Sequence, residues 1–138
     1  MKVYVASRFN NQEKVKEIYE KLIENGFEIT VDWTKHKKVK PYEKNSKLAK
    51  KYSKEDIEGV RDSDVFILLT TQKPGKGMFV EMGAAVILNI LIGKPKIYII
   101  GDYNNQSLFY FHPNVKRLKT IEDAIEDIKK SEGLWPKK

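Results

Sequence analysis

The stretch VFILLTTQKPGKGMFVEMGAAVILNILI, residues 65–92, decides the fold of this chain. It begins with an apolar, strand-like run over 65–69 and ends with an apolar run of helical length over 78–92, joined by a polar loop that contains Gly and Pro. An α/β sheet places such a strand, loop and helix around its ligand crevice. Glu81 is the one charged residue of the run 78–92, and a lone acid in apolar surroundings costs free energy unless it is paired or working. Glu81 is therefore the first candidate for chemistry.

Strand-like and helix-like segments alternate along the whole chain. Strands are predicted over 3–7, 27–31, 65–70, 96–100 and 115–118, and helices over 11–25, 47–61, 78–92 and 120–131. The third and fourth strands are almost wholly apolar, as expected where helices cover both faces of a sheet. We therefore predict a single α/β domain over residues 1–138, with a doubly wound parallel sheet of flavodoxin-like, Rossmann-like order 2-1-3-4-5. Ligands of such sheets bind at the carboxyl ends of the strands, near the point where the strand order reverses.

The composition excludes several kinds of site. The chain has no cysteine, which excludes disulfides, thiolate nucleophiles and Cys-ligated zinc. His36 and His112 match no metal-ligand spacing, and we expect neither a metal nor a redox cofactor. The apolar run 78–92 is shorter than the ~20 residues that span a bilayer, and the amino-terminal residues lack the long apolar core of a signal peptide. These features predict a soluble, cytoplasmic protein that does not bind membranes.

The net charge of +7 is concentrated in one segment. Residues 35–54 hold nine lysines and a single acid, Glu43. This segment either attracts an anion, such as a phosphate or a nucleic acid, or forms a solvated lysine-rich surface of the kind found in heat-loving organisms. No recognised nucleic-acid motif accompanies the lysines, so charge alone does not name the partner.

Three local features near Glu81 have alternative interpretations. A capping box would need Ser or Thr three residues before Glu81, where Met78 stands, and with Gly77 as the cap Glu81 comes one place too late. A favourable interaction with the helix N-terminus remains open. The glycines at 75 and 77 match a dinucleotide fingerprint only weakly, and they are better explained as letting the backbone approach a ligand. Asp56, in SKEDIEGV, is by itself a helix acid among lysines.

Three segments together resemble the nucleoside 2-deoxyribosyltransferase superfamily, which includes the deoxynucleoside 5′-monophosphate N-glycosidases. Residues 3–9, VYVASRF, are similar to the first strand and substrate loop of that superfamily. Asp56, eight residues before Asp64, matches the spacing of its second acid. Residues 77–83, GMFVEMG, are similar to its nucleophile motif. The resemblance covers most of the chain and moves Asp56 from a surface acid to an expected site residue.

The resemblance implies cleavage or transfer at the N-glycosidic bond of a nucleoside or its 5′-monophosphate. Glu81 would be the nucleophile that stabilises or attacks the cationic sugar carbon. Asp56 would hold a sugar hydroxyl or assist protonation of the departing base. Tyr4 matches a substrate-contacting tyrosine, while Asp32 and Trp33 lie where a base could be stacked or hydrogen-bonded.

This chain departs from the superfamily pattern at three positions. Gly75 stands where the transferases have an acid and the monophosphate glycosidases a serine. Ser7 replaces a usual glycine, and Arg8 replaces a following Ser or Pro. Arg8 could clamp a phosphate or could narrow the pocket, and Gly77 remains a candidate for close contact with the substrate.

The resemblance also implies a homodimer, because neighbouring subunits often complete the site, with the loop 103–111 as a contributor. The choice between hydrolysis and transfer to a second base stays open. Two other functions also remain open: a non-catalytic nucleotide-sensing module, and nucleic-acid binding through residues 35–54.

Overall fold

The computed structural model describes residues 1–133, which form a five-stranded parallel sheet of order β2-β1-β3-β4-β5. The strands are β1 (Lys2–Ala6), β2 (Glu28–Ile29), β3 (Val65–Leu69), β4 (Lys96–Ile100) and β5 (Val115–Leu118). The helices are α1 (Gln12–Glu24), α2 (Ser46–Arg61), α3 (Lys76–Ile92) and α4 (Ile121–Ser131). Short 3₁₀ turns lie at Phe9–Asn11, Trp33–Lys35, Tyr42–Lys44 and Leu108–Phe111. The predicted fold class and strand order are confirmed.

The strand order reverses between β1 and β3. Their register pairs Val3 with Val65 and Ala6 with Leu68, so both strands end at the same edge of the sheet. Helices α2 and α3 pack together, and α1 packs with α4, as a doubly wound sheet requires. The side chains of β1 from Val3 to Ala6 are completely buried, because this central strand has helices above and below it.

Two predicted boundaries are wrong. The strand predicted over 27–31 is paired only at Glu28–Ile29, because β2 is an edge strand that soon turns away. Thr30 N still donates to Val3 O at 3.0 Å, but the carbonyl of Val31 accepts from the Tyr19 hydroxyl at 3.3 Å. The helix predicted from 78 begins at Lys76, with Gly75 as its N-cap. Glu81 therefore lies in the second turn of α3, too far from the helix start to act as a capping residue.

Local sequence explains how two other helices begin and end. Thr120 precedes α4, and its side-chain oxygen accepts from Asp123 N at 3.1 Å, satisfying one free N–H of the first turn. After α1, Gly26 has a φ of +86°, a left-handed conformation that glycine adopts without steric cost. These two signals place α1 and α4 where the sequence predicts them.

Helix α3 is apolar on nearly every side, which is unusual for a helix at a protein surface. Met78, Met82 and Ala85 are buried against the sheet, yet Ile87 is 56% exposed and Leu91 is 72% exposed. Despite this apolar character, no helix within residues 1–133 has the length and hydropathy to cross a membrane.

Candidate active site

The candidate site is built around a hydrogen bond between Tyr4 and Glu81. Tyr4 is completely buried, and its ring stacks on Phe66 with centroids 6.0 Å apart and planes 7° apart. Its hydroxyl donates to Glu81 Oε2 at 2.8 Å. Because Tyr4 is fixed by the sheet and Glu81 by α3, this bond holds the carboxylate in one position over β1.

Asp56 lies on α2, near the same carboxylate. Its Oδ1 is buried and has no hydrogen-bond partner within residues 1–133. One turn later, Gly59 allows α2 to lie close to the sheet: a Cβ there would be 2.5 Å from Val31 Cγ2 and 3.1 Å from Tyr4 Cδ2. Gly59 is thus a structural contributor to the site that the sequence analysis missed. A glycine inside an otherwise helical segment was the available signal.

Burial raises the pKa of both carboxyl groups of the candidate site. Burial raises the pKa of Glu81 to about 8; the Tyr4 hydrogen bond opposes this shift and the charge of Asp56 adds to it. Burial raises the pKa of Asp56 to about 7, with a smaller contribution from Glu55. Neither Glu81 nor Asp56 forms a salt bridge within residues 1–133. Perturbed, unneutralised acids of this kind are typical of functional sites.

The pKa values of two buried tyrosines, Tyr4 and Tyr19, are affected by the negative charges of the same acids. Burial, followed by the charges of Glu81 and Asp56, raises the pKa of Tyr4 well above its ordinary value. The pKa of Tyr19 is also raised, first by burial and then by the charges of Asp32, Asp56 and Glu81. Tyr4 therefore stays protonated and remains a donor to Glu81 at any physiological pH. A cluster of acids with a tyrosine donor is suited to a ligand that develops positive charge.

Asp32 and Trp33 are brought to the carboxyl end of the sheet, but both are already engaged. Asp32 Oδ1 accepts from the backbone N–H of Thr34 at 3.1 Å and from its hydroxyl. Trp33 is only 5% exposed, and its indole N–H donates to Val5 O at 2.6 Å. Phe9, which the sequence analysis did not select, is 37% exposed and lies 6.1 Å from the Trp33 ring centroid. The accessible ring of this aromatic pair is therefore Phe9.

The loop after β1 contacts the loop after β3. Ser7 is nearly buried; its hydroxyl donates to Leu69 O at 2.9 Å and accepts from the Asn11 side chain at 3.1 Å. Arg8 Nη1 donates to Lys73 O at 3.3 Å. A Cβ placed on Gly75 would lie 3.3 Å from both Cα and Cγ of Arg8. The glycine at 75 thus allows a close approach of Arg8.

Gly77 makes no close contact with other elements, whereas the loop 103–111 packs on α3. Gly77 is exposed, and no atom of another element lies within 4 Å of a Cβ built there. Tyr110 is buried and stacks on Phe79 of α3 with centroids 5.9 Å apart, while Leu108 is 81% exposed. The loop therefore rests on α3 and presents apolar side chains outward.

Two cavities open near these residues. The larger, about 640 Å³, lies between the end of β2 and α2, and Asp32, Glu55 and Gly59 are among the residues that line it. The smaller, about 280 Å³, is lined by Arg8, Asn10, Asn11, Thr71, Gln72 and Lys73. Glu81 and Asp56 line neither cavity. The larger cavity meets α2 next to Asp56, and the smaller lies by the start of α3.

Comparisons with known proteins agree with the predicted fold and family. The sequence profile described as nucleoside 2-deoxyribosyltransferase matches residues 3–108. The structure is similar to that of the CMP N-glycosidase BcmB from Clostridium botulinum, with a TM-score of 0.59, 15% sequence identity, and coverage of 94% of this chain and 99% of that one. No curated protein matches the sequence. The profile match spans more than half of the chain, so this protein belongs to the nucleoside 2-deoxyribosyltransferase family, whose chemistry is cleavage or transfer at an N-glycosidic bond.

Proposed function

We propose that Glu81 is the carboxylate nucleophile in cleavage or transfer at the N-glycosidic bond of a nucleoside or its 5′-monophosphate. The observation that carries this proposal is the 2.8 Å hydrogen bond from Tyr4 to Glu81, beside a second acid and with no cation on either carboxylate within residues 1–133. Buried structural carboxylates are commonly paired with a cation. In its ionised form, Glu81 has no cation bound to it within residues 1–133 and is available to a reacting centre.

The reaction divides into two steps at the sugar carbon C1′. In the first, the bond from C1′ to the base breaks, its electron pair leaves with the base nitrogen, and Glu81 forms an ester with C1′. Asp56, when protonated, supplies the proton that the departing base takes up. In the second, a water molecule or a second base attacks C1′, the ester bond breaks, and Glu81 is free again. Asp56, ionised in the first step, takes up the proton that the attacking water or base releases, so both acids end the cycle in their starting states.

The protonation state that reacts has Glu81 ionised and Asp56 protonated. With the pKa of Glu81 at about 8 and that of Asp56 at about 7, this form is a minority in the unliganded protein. The Tyr4 hydrogen bond favours it, because that bond lowers the pKa of Glu81. Positive charge developing at C1′ favours it further. The profile of kcat/KM against pH should therefore be bell-shaped, with its optimum between about 7 and 8 for the pair as a unit.

The remaining site residues have supporting roles in this proposal. Tyr4 positions Glu81, and Asp32 adds negative charge to the sugar and base end. Trp33 forms a wall behind Phe9, which is the better-exposed ring for a base to stack on. Ser7, Arg8, Gly75 and Gly77 border the opposite end of the substrate.

We also propose that the protein is a homodimer that pairs through α3. Val80, Ile87 and Leu91 are all more than half exposed and lie at helical spacing, with Gly83 open between them. An uncharged, self-complementary stripe of this kind suits a two-fold contact between identical subunits. Ile87→Glu should yield a monomer in sedimentation velocity. Ile23→Glu, at an equally exposed position on α1, should leave the dimer intact, and a wild-type monomer would reject the proposal.

The enzymatic proposal is tested by following free base. The wild-type protein is incubated with a panel of deoxynucleosides, ribonucleosides and their 5′-monophosphates, with and without a second base as acceptor. We expect base release or exchange by wild type, and a loss of at least about 10³-fold for Glu81→Gln, which keeps the Tyr4 hydrogen bond but cannot form the ester. Glu20→Gln, an exposed acid on α1, is the matched control and should retain full activity.

Other outcomes would assign other functions. Saturable nucleotide binding with no base release from any substrate would indicate a sensing module. Steeply salt-dependent DNA binding that is unaffected by Glu81→Gln would indicate that residues 35–54 are the functional surface.

A further inference from the structure

The excess positive charge of the chain lies in one surface segment. Of the 26 Lys and Arg residues, nine lie in residues 35–54, whereas only one of the 19 Asp and Glu residues does, so the rest of the chain holds 17 cations and 18 acids. All nine lysines are exposed. Lysine-rich surfaces that serve heat stability are built as networks of opposite charges. A segment with a single acid of its own therefore needs another explanation.

Most of these lysines have no ionic partner. Three of the nine lie within 4.0 Å of a carboxylate, and exposed pairs of this kind contribute little free energy. The other six form no salt bridge within residues 1–133, namely Lys37, Lys38, Lys40, Lys44, Lys47 and Lys50. Neighbouring cations without a counter-charge repel one another, and a bound polyanion relieves that repulsion.

The loop that carries four of the six is held against α2. The His36 ring stacks on the Tyr52 ring of α2, with centroids 3.8 Å apart and planes 4° apart. The Tyr52 hydroxyl also accepts from Lys37 N at 3.2 Å. At the far end of the loop, the Asn45 side chain donates to Pro41 O at 3.1 Å. Loop and helix therefore form one ordered unit, which lowers the entropy cost of binding a ligand to it.

Helix α2 continues the positive charge along one of its faces. Its lysines at 47, 50, 51 and 54 follow the i, i+3, i+4, i+7 spacing, so they lie on the same side of neighbouring turns. These four positions extend over about 10 Å of the helix axis. A nucleic acid strand carries one phosphate per about 3.4 Å, so the stripe matches a run of about three phosphates.

One aromatic ring is exposed among these lysines. Tyr42 is 54% exposed and stands between Lys40 and Lys44 in the sequence. Cations beside an exposed ring are the combination that binds unpaired bases, because the lysines contact phosphates while the ring stacks on a base. A membrane surface instead requires a face of large apolar side chains beside the cations. Tyr42 is the one large hydrophobic side chain of residues 35–54 that is exposed, so the surface favours a single strand over a membrane.

We infer that residues 37–54 form a binding surface for single-stranded nucleic acid, in which the lysines contact phosphates and Tyr42 stacks on a base. Charge and stacking are both tolerant of sequence, so we expect little preference for particular bases. The inference goes beyond the proposed reaction and does not depend on it, because neither Glu81 nor Asp56 takes part in the binding.

The first test measures the salt dependence of binding by fluorescence anisotropy, with a labelled single strand of about 16 nucleotides. Lys40→Ala with Lys44→Ala should flatten the slope of log K against log salt concentration by about 1.4, since each phosphate contact contributes about 0.7. Lys14→Ala with Lys119→Ala is the matched control, because both lysines are exposed and form no salt bridge within residues 1–133. The control should keep the wild-type slope. Equal effects of the two double variants would show attraction by net charge alone and would overturn the inference.

The second test separates stacking from charge. Tyr42→Ala should weaken binding of the single strand by about 5- to 100-fold and leave the salt slope unchanged, because no cation is removed. Tyr42→Phe keeps the ring and should retain binding. A duplex of the same length offers no unpaired base, so its binding should not respond to Tyr42→Ala. Single-strand binding that is indifferent to Tyr42→Ala would contradict the stacking role.

Competitors and a catalytic variant complete the test. Vesicles of phosphatidylcholine with phosphatidylserine, or heparin, that bind as tightly as the single strand would identify a general polyanion surface and overturn the assignment to nucleic acid. Glu81→Gln should bind the strand as wild type does, so the two proposals fail independently. Base release by the same protein would make strand binding a second function, and in its absence strand binding would stand as the function of the chain.

Discussion

Two regions at the carboxyl end of the sheet carry opposite charges and do not neutralise each other. One holds Glu81, Asp56 and Asp32; burial, and after it the charges of these three acids, raises the pKa of Tyr19. The other is the smaller cavity, where Arg8 and Lys73 occur without a carboxylate. Within residues 1–133, Glu81 and Asp56 have no salt bridge, although Asp32 lies 3.8 Å from Lys35. At Lys21–Glu122 and Lys116–Asp127, by contrast, acids and bases pair directly. In the proposed reaction, these two regions would meet one ligand that is cationic at one end during the reaction and anionic at the other.

After substitution of Glu81, we expect Asp56→Asn to cause the largest loss of activity among changes in the acidic region. Asparagine keeps the shape but holds no transferable proton, so we expect kcat to fall by about 10²- to 10⁴-fold for substrates with a poor leaving base. A substrate with a leaving group that needs no proton should be affected much less. Single-turnover kinetics on both substrates checks this. Equal losses would mean that Asp56 positions the sugar and does not supply the proton.

Tyr4→Phe should act on the same region more mildly. Removing the hydrogen bond removes the one contribution that lowers the pKa of Glu81, so the rising limb of the kcat/KM profile should move to higher pH. At pH 7 we expect a loss of roughly 10-fold, in line with one charge-assisted hydrogen bond. Activity above pH 9 should recover toward wild type. A uniform loss at all pH values would indicate misplacement of Glu81.

The partly buried Glu81 should also make folding stability depend on pH. The pKa of Glu81 rises from 4.5 to about 8 on folding, so its protonated form is favoured in the folded state. The associated stability is fully present below pH 4.5 and is lost as the pH rises toward 8. Urea unfolding of Glu81→Gln should match wild type near pH 4.5 and show the greater free energy of unfolding at pH 9, with a gap growing by up to about 1.4 kcal/mol per pH unit between. If the difference in the free energy of unfolding between Glu81→Gln and wild type stayed constant with pH, the raised pKa of Glu81 would be contradicted.

Ionic strength should affect only the cationic region. Raising salt from low to about 0.5 M should weaken kcat/KM for a nucleoside monophosphate a few-fold, because exposed lysines at 35–54 and Lys73 no longer attract it. The matching nucleoside should show no such change. Stopped-flow comparison of the two substrates provides the measurement, and parallel salt effects on both would contradict the division into two regions.

Much of the fold follows from the sequence, because its strands are apolar runs separated by helices of clear period. The Glu81 position was likewise visible as one charge in an uncharged run. The start of α3 was not, since Gly75, Lys76 and Gly77 read locally as a loop, whereas Gly75 is extended and Lys76 already helical. At residues 75–77 the low helix propensity of glycine was outweighed by the packing of α3 on the sheet.

The contacts that shape the site could not be predicted, because they join residues far apart in the chain. Trp33 follows the predicted second strand and reads as a stacking surface, but its indole N–H donates to Val5 O, 28 residues away. Arg8 could be a clamp or an obstruction until its contact with Gly75 is known. Side-chain identity indicated which residues mattered, and only three-dimensional packing indicated which of them are free to meet a ligand.

The missing methyl group at residue 59 has a consequence for the spacing of the two acids. Because Val31 Cγ2 and Tyr4 Cδ2 lie within 3.1 Å of where a Cβ would be, any side chain there would wedge α2 away from the sheet and carry Asp56 with it. In glycosidases the gap between two carboxyl groups decides whether the second one attacks the sugar or activates water. In the proposed reaction, the absence of a side chain at Gly59 would therefore fix the distance between Asp56 and Glu81 on which the stereochemical course depends.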